Sequence, residues 1–205
     1  LDIISTGGEV ELPVVGGSQL KGVFPVGKNF KNYQASLVLS HFKGHGILGI
    51  GGALKNVAFG FAGNQGKSWL HTSGSSKTKI SFGKGQGVQK AMAEACKAVH
   101  DALEGNVVYI NTLDNLVKEC DCDVNFGAGQ GSPLMDDIGI LGSLDPVALD
   151  RACSDLVLAA KGGQVLKDRI TGKGNEGDFY AELGMKYAQQ IGLGSTEYDL
   201  VDIDK

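Results

Sequence analysis

The chain has 205 residues, a formal net charge of −4 and 42% hydrophobic content, enough for one good core and ordinary for a globular domain. Its 19 Lys and Arg form no basic stripe, which excludes the usual nucleic-acid footprint, and no apolar run approaches the ~18 residues of a membrane span. The unusual count is 32 glycines; without a period, they point to tight turns and close backbone approaches rather than to a low-complexity chain.

In chain order, Val10–Val15 and Leu20–Val26 read as two strands of a hairpin joined at Gly16-Gly17. Ser36–Phe42 reads as a strand apolar enough to be buried. It runs into the glycine-dense stretch Lys43–Gly52, after which Ala53–Ala62 reads as a short helix. Gly63–Gly87 is loop-rich and the natural insertion point, with a strand near Lys79–Phe82. Gly87–Leu103 is the clearest helix, because Val88, Met92, Ala95, Val99 and Leu103 recur at three- and four-residue steps before Gly105. Asn106–Leu113 and Asp137–Leu144 read as strands. Asp145-Pro146 opens a helix with a capping acid and a proline in its first turn, closed by Gly162-Gly163. A last helix covers Gly177–Ile191, and Tyr198–Ile203 reads as a final strand. The alternation predicts an α/β fold: a single domain over 1–205 with a mixed, largely parallel sheet flanked by helices. The chain opens at Leu1 with no leader, and reads as a fragment or a processed product.

The stretch Ser40–Asn56 holds most of the chemistry. A strand, a turn of bare backbone and a helix start are a natural place for an anion or a metal-bound ligand. Within it lie Lys43, Gly44, Gly46, Gly51, Gly52, Lys55 and Asn56, and Lys67 stands further on; these are the candidate ligand-binding residues. His41, His45, His71, Cys120 and Cys122 are candidate metal ligands, since imidazole and thiolate suit zinc, iron or nickel. The alternative is that the histidines satisfy backbone groups around a turn. His45, Lys55 and Asp137 are the candidate catalytic groups, through proton transfer and anion orientation. Asp136-Asp137 before a strand has no evident folding role, whereas Asp145 has one as a helix cap.

Several sharper readings fail. Gly44–Gly49 matches the dinucleotide pattern G-x-G-x-x-G, but the following unit that should end in an acid is missing. Gly66-Lys67-Ser68 resembles the end of a phosphate-binding P-loop, yet Phe61 stands where its first glycine belongs. No nucleophile elbow supports Ser/His/Asp catalysis. The four cysteines are too sparse for a disulfide scaffold. Cys96 and Cys153 fall in helical patterns as buried thiols, which together favour a reducing, cytoplasmic compartment.

Ser40-His41-Phe42-Lys43-Gly44-His45, Gly51-Gly52-Ala53-Leu54-Lys55-Asn56, Gly66-Lys67 and His71 resemble the domain-of-unknown-function 362 family. The second half agrees in Cys120-Asp121-Cys122, Asp137–Leu141, Ser143–Asp150 and Gly192-Leu193-Gly194-Ser195 with Tyr198. Many members carry a ferredoxin-like insert with two cysteine-rich motifs between the positions matching His71 and Ala93. This chain has no cysteine between His71 and Cys96, so no intrinsic iron–sulfur cluster is expected. The resemblance also implies an N-terminal family region upstream of Leu1. Two functions follow as expectations. One is a metal- or anion-dependent enzyme using a divalent ion or a small anionic ligand. The other is a non-catalytic accessory module related to iron–sulfur redox proteins, with a ferredoxin-like partner.

Overall fold

Glycine-rich turns break this chain into short elements, and a computed structural model describes residues 7–79, 81, 86–118, 133–172 and 180–204. Strands β1 (Glu9–Pro13) and β2 (Val23–Gly27) pair antiparallel, with Glu9 opposite Gly27. The main sheet contains β3 (Ser36–His41), β6 (Val107–Leu113) and β7 (Gly139–Ser143) in the order β3-β6-β7. It is mixed: β3 runs parallel to β6, and β7 antiparallel to it. Between β3 and the first helix lies a small hairpin, β4 (Lys43–His45) with β5 (Gly49–Gly51).

A parallel pairing needs a long crossover, and three helices supply it: α1 (Ala53–Gly60), α2 (Asn64–His71) and α3 (Gly87–Ala102). Two more substantial helices follow β7, namely α4 (Pro146–Ala159) and α6 (Ala181–Gln190), with a one-turn α5 (Lys167–Thr171) between them. Strand alternation puts Val38, Ser40, Tyr109, Asn111 and Leu113 on the face that the helices cover, and all are buried. The apolar side chains of that face and of the helices form one continuous cluster. A fully buried Phe24, Leu70 or Met185 in it contributes about 1.5–3 kcal/mol each.

The fold is α/β, with a mixed sheet and helices packed on it. Helix α3 repeats Val88, Met92, Ala95 and Val99 on its buried stripe, as its spacing predicts. The Asp145 side chain accepts from the Val147 and Ala148 amides at 2.8 and 3.0 Å, capping α4. Cys96 and Cys153 are buried free thiols on α3 and α4.

Two sequence expectations differ from the structure. The region 63–87 is not all loop: α2 forms there, despite Gly66. A Cβ on Gly66 would collide with the Pro25 carbonyl, so glycine allows α2 to lie directly on β2. Trp69 of α2 fastens the contact, its Nε1 donating to the Leu20 and Val23 carbonyls at 3.1 and 3.2 Å. Tyr198–Ile203 forms no strand and pairs with none of the described strands. The strand near Lys79–Phe82 and the start of the helix at Gly177 lie largely outside the described residues, as do Cys120 and Cys122.

Candidate functional site

The carboxyl end of β3, the β4–β5 hairpin and the first turn of α1 enclose an open cleft of about 190 Å³. Leu39, Ser40, His41, Lys43, Gly51, Gly52, Lys55 and Asn56 form its walls. Two lysines and a histidine, three of the candidate residues, therefore line one concavity. The cleft is smaller than the ~300–1,000 Å³ of sites for drug-sized ligands, so it suits a small ion or one end of a larger molecule.

The amides at the α1 N-terminus are not the open anion site that the glycine pattern predicts. Asp150 of α4 is fully buried beneath them and accepts from the Ala53 and Leu54 N–H groups at 2.7 and 3.0 Å. Its Oδ1 also accepts from Asn111 Nδ2 at 2.8 Å. A Cβ on Gly52 would collide with this carboxylate. The helix start thus holds an anion, but the anion is the protein's own side chain. Burial pushes the Asp150 carboxyl up to about 6, against the opposing pull of its three hydrogen bonds.

Lys55 falls in the first turn of α1, which contains no acid. A cation there opposes the helix dipole, at a cost of about 0.3–1 kcal/mol, so local helix stability does not account for it. Lys55 lines both the cleft and a pocket of about 10 Å³ next to Asp150, the volume of a single water. Asn56 serves as a brace: its Nδ2 donates to the Leu39 carbonyl at 2.7 Å and to Ser40 Oγ at 2.9 Å, tying α1 to the end of β3.

The histidines separate. His41 lines the cleft, and its Nε2–H donates to the Asp114 carbonyl at 2.7 Å. His45 turns into its own hairpin, where Nδ1 accepts from the Ile47 and Leu48 amides at 3.1 Å each. A neutral imidazole has one lone pair, and in this arrangement the two amides use it; ligating a metal would break both bonds. His71 is on α2, its Nδ1–H donating to Lys67 O at 2.8 Å and its ring edge-on to Phe59. Neither His71 nor Lys67 is among the cleft's lining residues.

Gly44 and Gly46 belong to the β4–β5 hairpin rather than to a phosphate loop. Gly44 has a steric reason to be glycine, since a Cβ would collide with the Lys118 carbonyl. Asp137 lies at the same end of the sheet but does not line the cleft, and it has a structural task that the sequence reading missed. Its Oδ1 accepts from the Asn115 N–H at 2.7 Å, steadying a residue at φ 44°. Cys120 and Cys122 are outside the described residues. Among the described residues no three His, Cys, Asp or Glu side chains come close enough to share a metal ion. Burial pushes the Cys153 thiol up to about 12 and raises Cys96 as well, so neither is a thiolate nucleophile.

The groups the sequence reading missed are Asp150, in its role as clamp, and Glu94. Glu94 is fully buried on α3 and accepts from the Gln19 and Leu20 amides and from the Tyr187 hydroxyl, at 2.8, 2.7 and 2.6 Å. Both acids sit on the apolar stripe of a helix, Asp150 between Val147 and Cys153 and Glu94 between Ala91 and Ala98. An acid in such a stripe is the signal that would have found them.

Fold and cleft together define an α/β domain whose concavity opens at the carboxyl end of a parallel strand pair, where open α/β sheets hold ligands. The chain belongs to the family described as Domain of unknown function (DUF362), whose profile matches residues 1–155. No curated protein and no solved structure matches it. Among the described residues no helix is long and apolar enough to cross a membrane.

Proposed function

We propose that the cleft at the end of β3 binds a small oxyanion, phosphate or carboxylate in type, as the substrate-holding part of an enzyme. The observation that carries this reading is the convergence of Lys43, Lys55 and His41 on one open concavity. Two ammonium groups supply countercharge, and in a partly desolvated cleft they would stabilise negative charge that builds up on a bound group. His41 adds an imidazole to the same space, its Nε2–H fixed on the Asp114 carbonyl. Asn56 and Asp150 hold the walls in place rather than touching the ligand. A metal at His41 would need further ligands from outside the described residues, so the anion reading is the more economical one.

Titration of the protein with inorganic phosphate, followed by calorimetry, tests the reading. Lys43→Ala and Lys55→Ala should each weaken binding about tenfold, the order expected for one charge-assisted contact of roughly 1.4 kcal/mol. Lys67→Ala should leave it unchanged. Equal affinity in all four proteins would sink the reading. The accessory-module alternative predicts instead a chain indifferent to phosphate that co-purifies with a ferredoxin.

A further inference from the structure

Among the described residues the helices cover only one face of the main sheet. On the other face Leu37 and Leu39 of β3 are 60% and 61% exposed, Val108 of β6 43%, and Ile140 of β7 73%. Register sets Leu37 opposite Val108, Leu39 opposite the half-buried Ile110, and Ile140 opposite Thr112, so these side chains form a diagonal row across three strands. Single exposed apolar residues are ordinary, but a contiguous row on a sheet marks an interaction surface. The strip is not apolar to its end: Leu39 is also a wall of the cleft that holds Lys43 and Lys55.

A second exposed element has the complementary chemistry. The segment Tyr198–Asp204 has the composition of a strand but no ladder. Leu200, Val201 and Ile203 are 56%, 75% and 87% exposed. Asp199, Asp202 and Asp204 alternate with them, so the segment is apolar and acidic, and the strip is apolar and ends beside a cleft lined by Lys43 and Lys55. Its base is fastened on the helical side of the sheet. The Ser195 N–H donates to Asp145 at 2.8 Å, Thr196 is held by Gln189, and the Tyr198 hydroxyl donates to Asp155 of α4 at 3.0 Å. From Tyr198 the rest of the segment reaches about 20 Å at full extension. A helix layer of roughly 10 Å and then the sheet stand between that anchor and the bare face. A second molecule presents the face without that detour.

We infer that Tyr198–Asp204 of one copy docks on the bare β3-β6-β7 face of a second copy, and reciprocally, closing a two-fold dimer. The apolar residues of the segment cover Leu37, Leu39, Val108 and Ile140, and its aspartates meet the Lys43–Lys55 end. The contact is isologous, with each copy giving one segment and one face, so it closes at two. It needs the lysines only as charges, and stands whether or not the cleft binds phosphate.

Sedimentation velocity from low to high micromolar concentration tests the inference, with two variants that alter only exposed positions. Leu39→Asp spoils the face and keeps the segment, while the double variant L200D/I203D spoils the segment and keeps the face. Unchanged far-ultraviolet circular dichroism checks that both fold. The wild type should dimerise, each variant alone should dissociate at least tenfold more readily, and raised salt should weaken the wild-type dimer. Mixing the two variants should restore a heterodimer, because one intact segment then meets one intact face. A wild type that stays monomeric at every concentration overturns the inference. So does a double variant that dimerises as tightly as the wild type, or a mixture no more associated than its components.

Discussion

Two places a few residues apart, the N-terminus of α1 and the cleft beside it, have the same ingredients and opposite fates. At the helix start, glycines and bare amides are closed from within by the Asp150 carboxylate. In the cleft, Lys43, Lys55 and His41 surround open space. The loop before β2 repeats the first pattern, with Glu94 filling the amides of Gln19 and Leu20 beside Gly17. Glycine-exposed amides are therefore a request for an anion that the protein can answer itself. What distinguishes a site for an external ligand here is cations facing a concavity rather than bare amides.

The largest expected effect lies on the closed side of this comparison. Asp150→Ala leaves three buried donors without an acceptor, on Ala53, Leu54 and Asn111, and should cost about 3 kcal/mol in chemical denaturation at neutral pH. A loss under 1 kcal/mol would mean that the clamp is dispensable. The same residue sets a pH dependence. Its folded carboxyl is raised from 3.8 to about 6, so the folded state keeps the proton where the unfolded chain has released it. Its contribution is therefore greatest below pH 4, falls by about 3 kcal/mol as the pH rises to about 6, and is constant above. The difference between wild-type and Asp150→Ala unfolding curves at pH 4 and pH 7 isolates this contribution, and a difference that grows with pH would contradict it.

Smaller effects sharpen the boundary between the two places. Gly52→Ala drives a methyl into the Asp150 carboxylate and should cost about 2 kcal/mol. Gly51→Ala, one residue away, meets only the flexible Lys43 side chain at 3.5 Å and should stay within about 0.5 kcal/mol. Thermal melts of the pair decide whether the wall between clamp and cleft is where the geometry puts it. Lys55→Ala should leave stability unchanged or raise it by up to roughly 0.5 kcal/mol, since a cation leaves the helix start. A clear destabilisation would make Lys55 a structural residue instead.

The sequence reading found what is local. The α3 stripe, the Asp145-Pro146 cap and the strand Ser36–His41 follow from spacing within a few residues, and so does the gathering of Lys43 and Lys55 near a strand end. It could not find what is distant. Asp150 reaches Ala53 across 97 positions, and no local pattern says which acid fills which amides. Glycine misled twice in the same way. Gly66 falls in a stretch that reads as loop and is where α2 touches β2, and Gly44 falls in a stretch that reads as a ligand loop and is where the hairpin touches Lys118. His45 and His71 share their chemistry with His41, but one is held in its own hairpin turn and the other on α2 against Phe59, so neither lines the cleft, and only the tertiary path decides that. Tyr198–Ile203 has the residues of a strand and pairs with none among the described residues.

The most direct test of the account is the phosphate titration of wild type, Lys55→Ala and Asp150→Ala side by side. If the clamp and the cleft are separate devices, Lys55→Ala loses about tenfold in affinity at wild-type stability. Asp150→Ala loses stability while its folded fraction still binds. The contradicting result is a phosphate site that vanishes with Asp150 and survives without Lys55, which would return the anion to the helix amides.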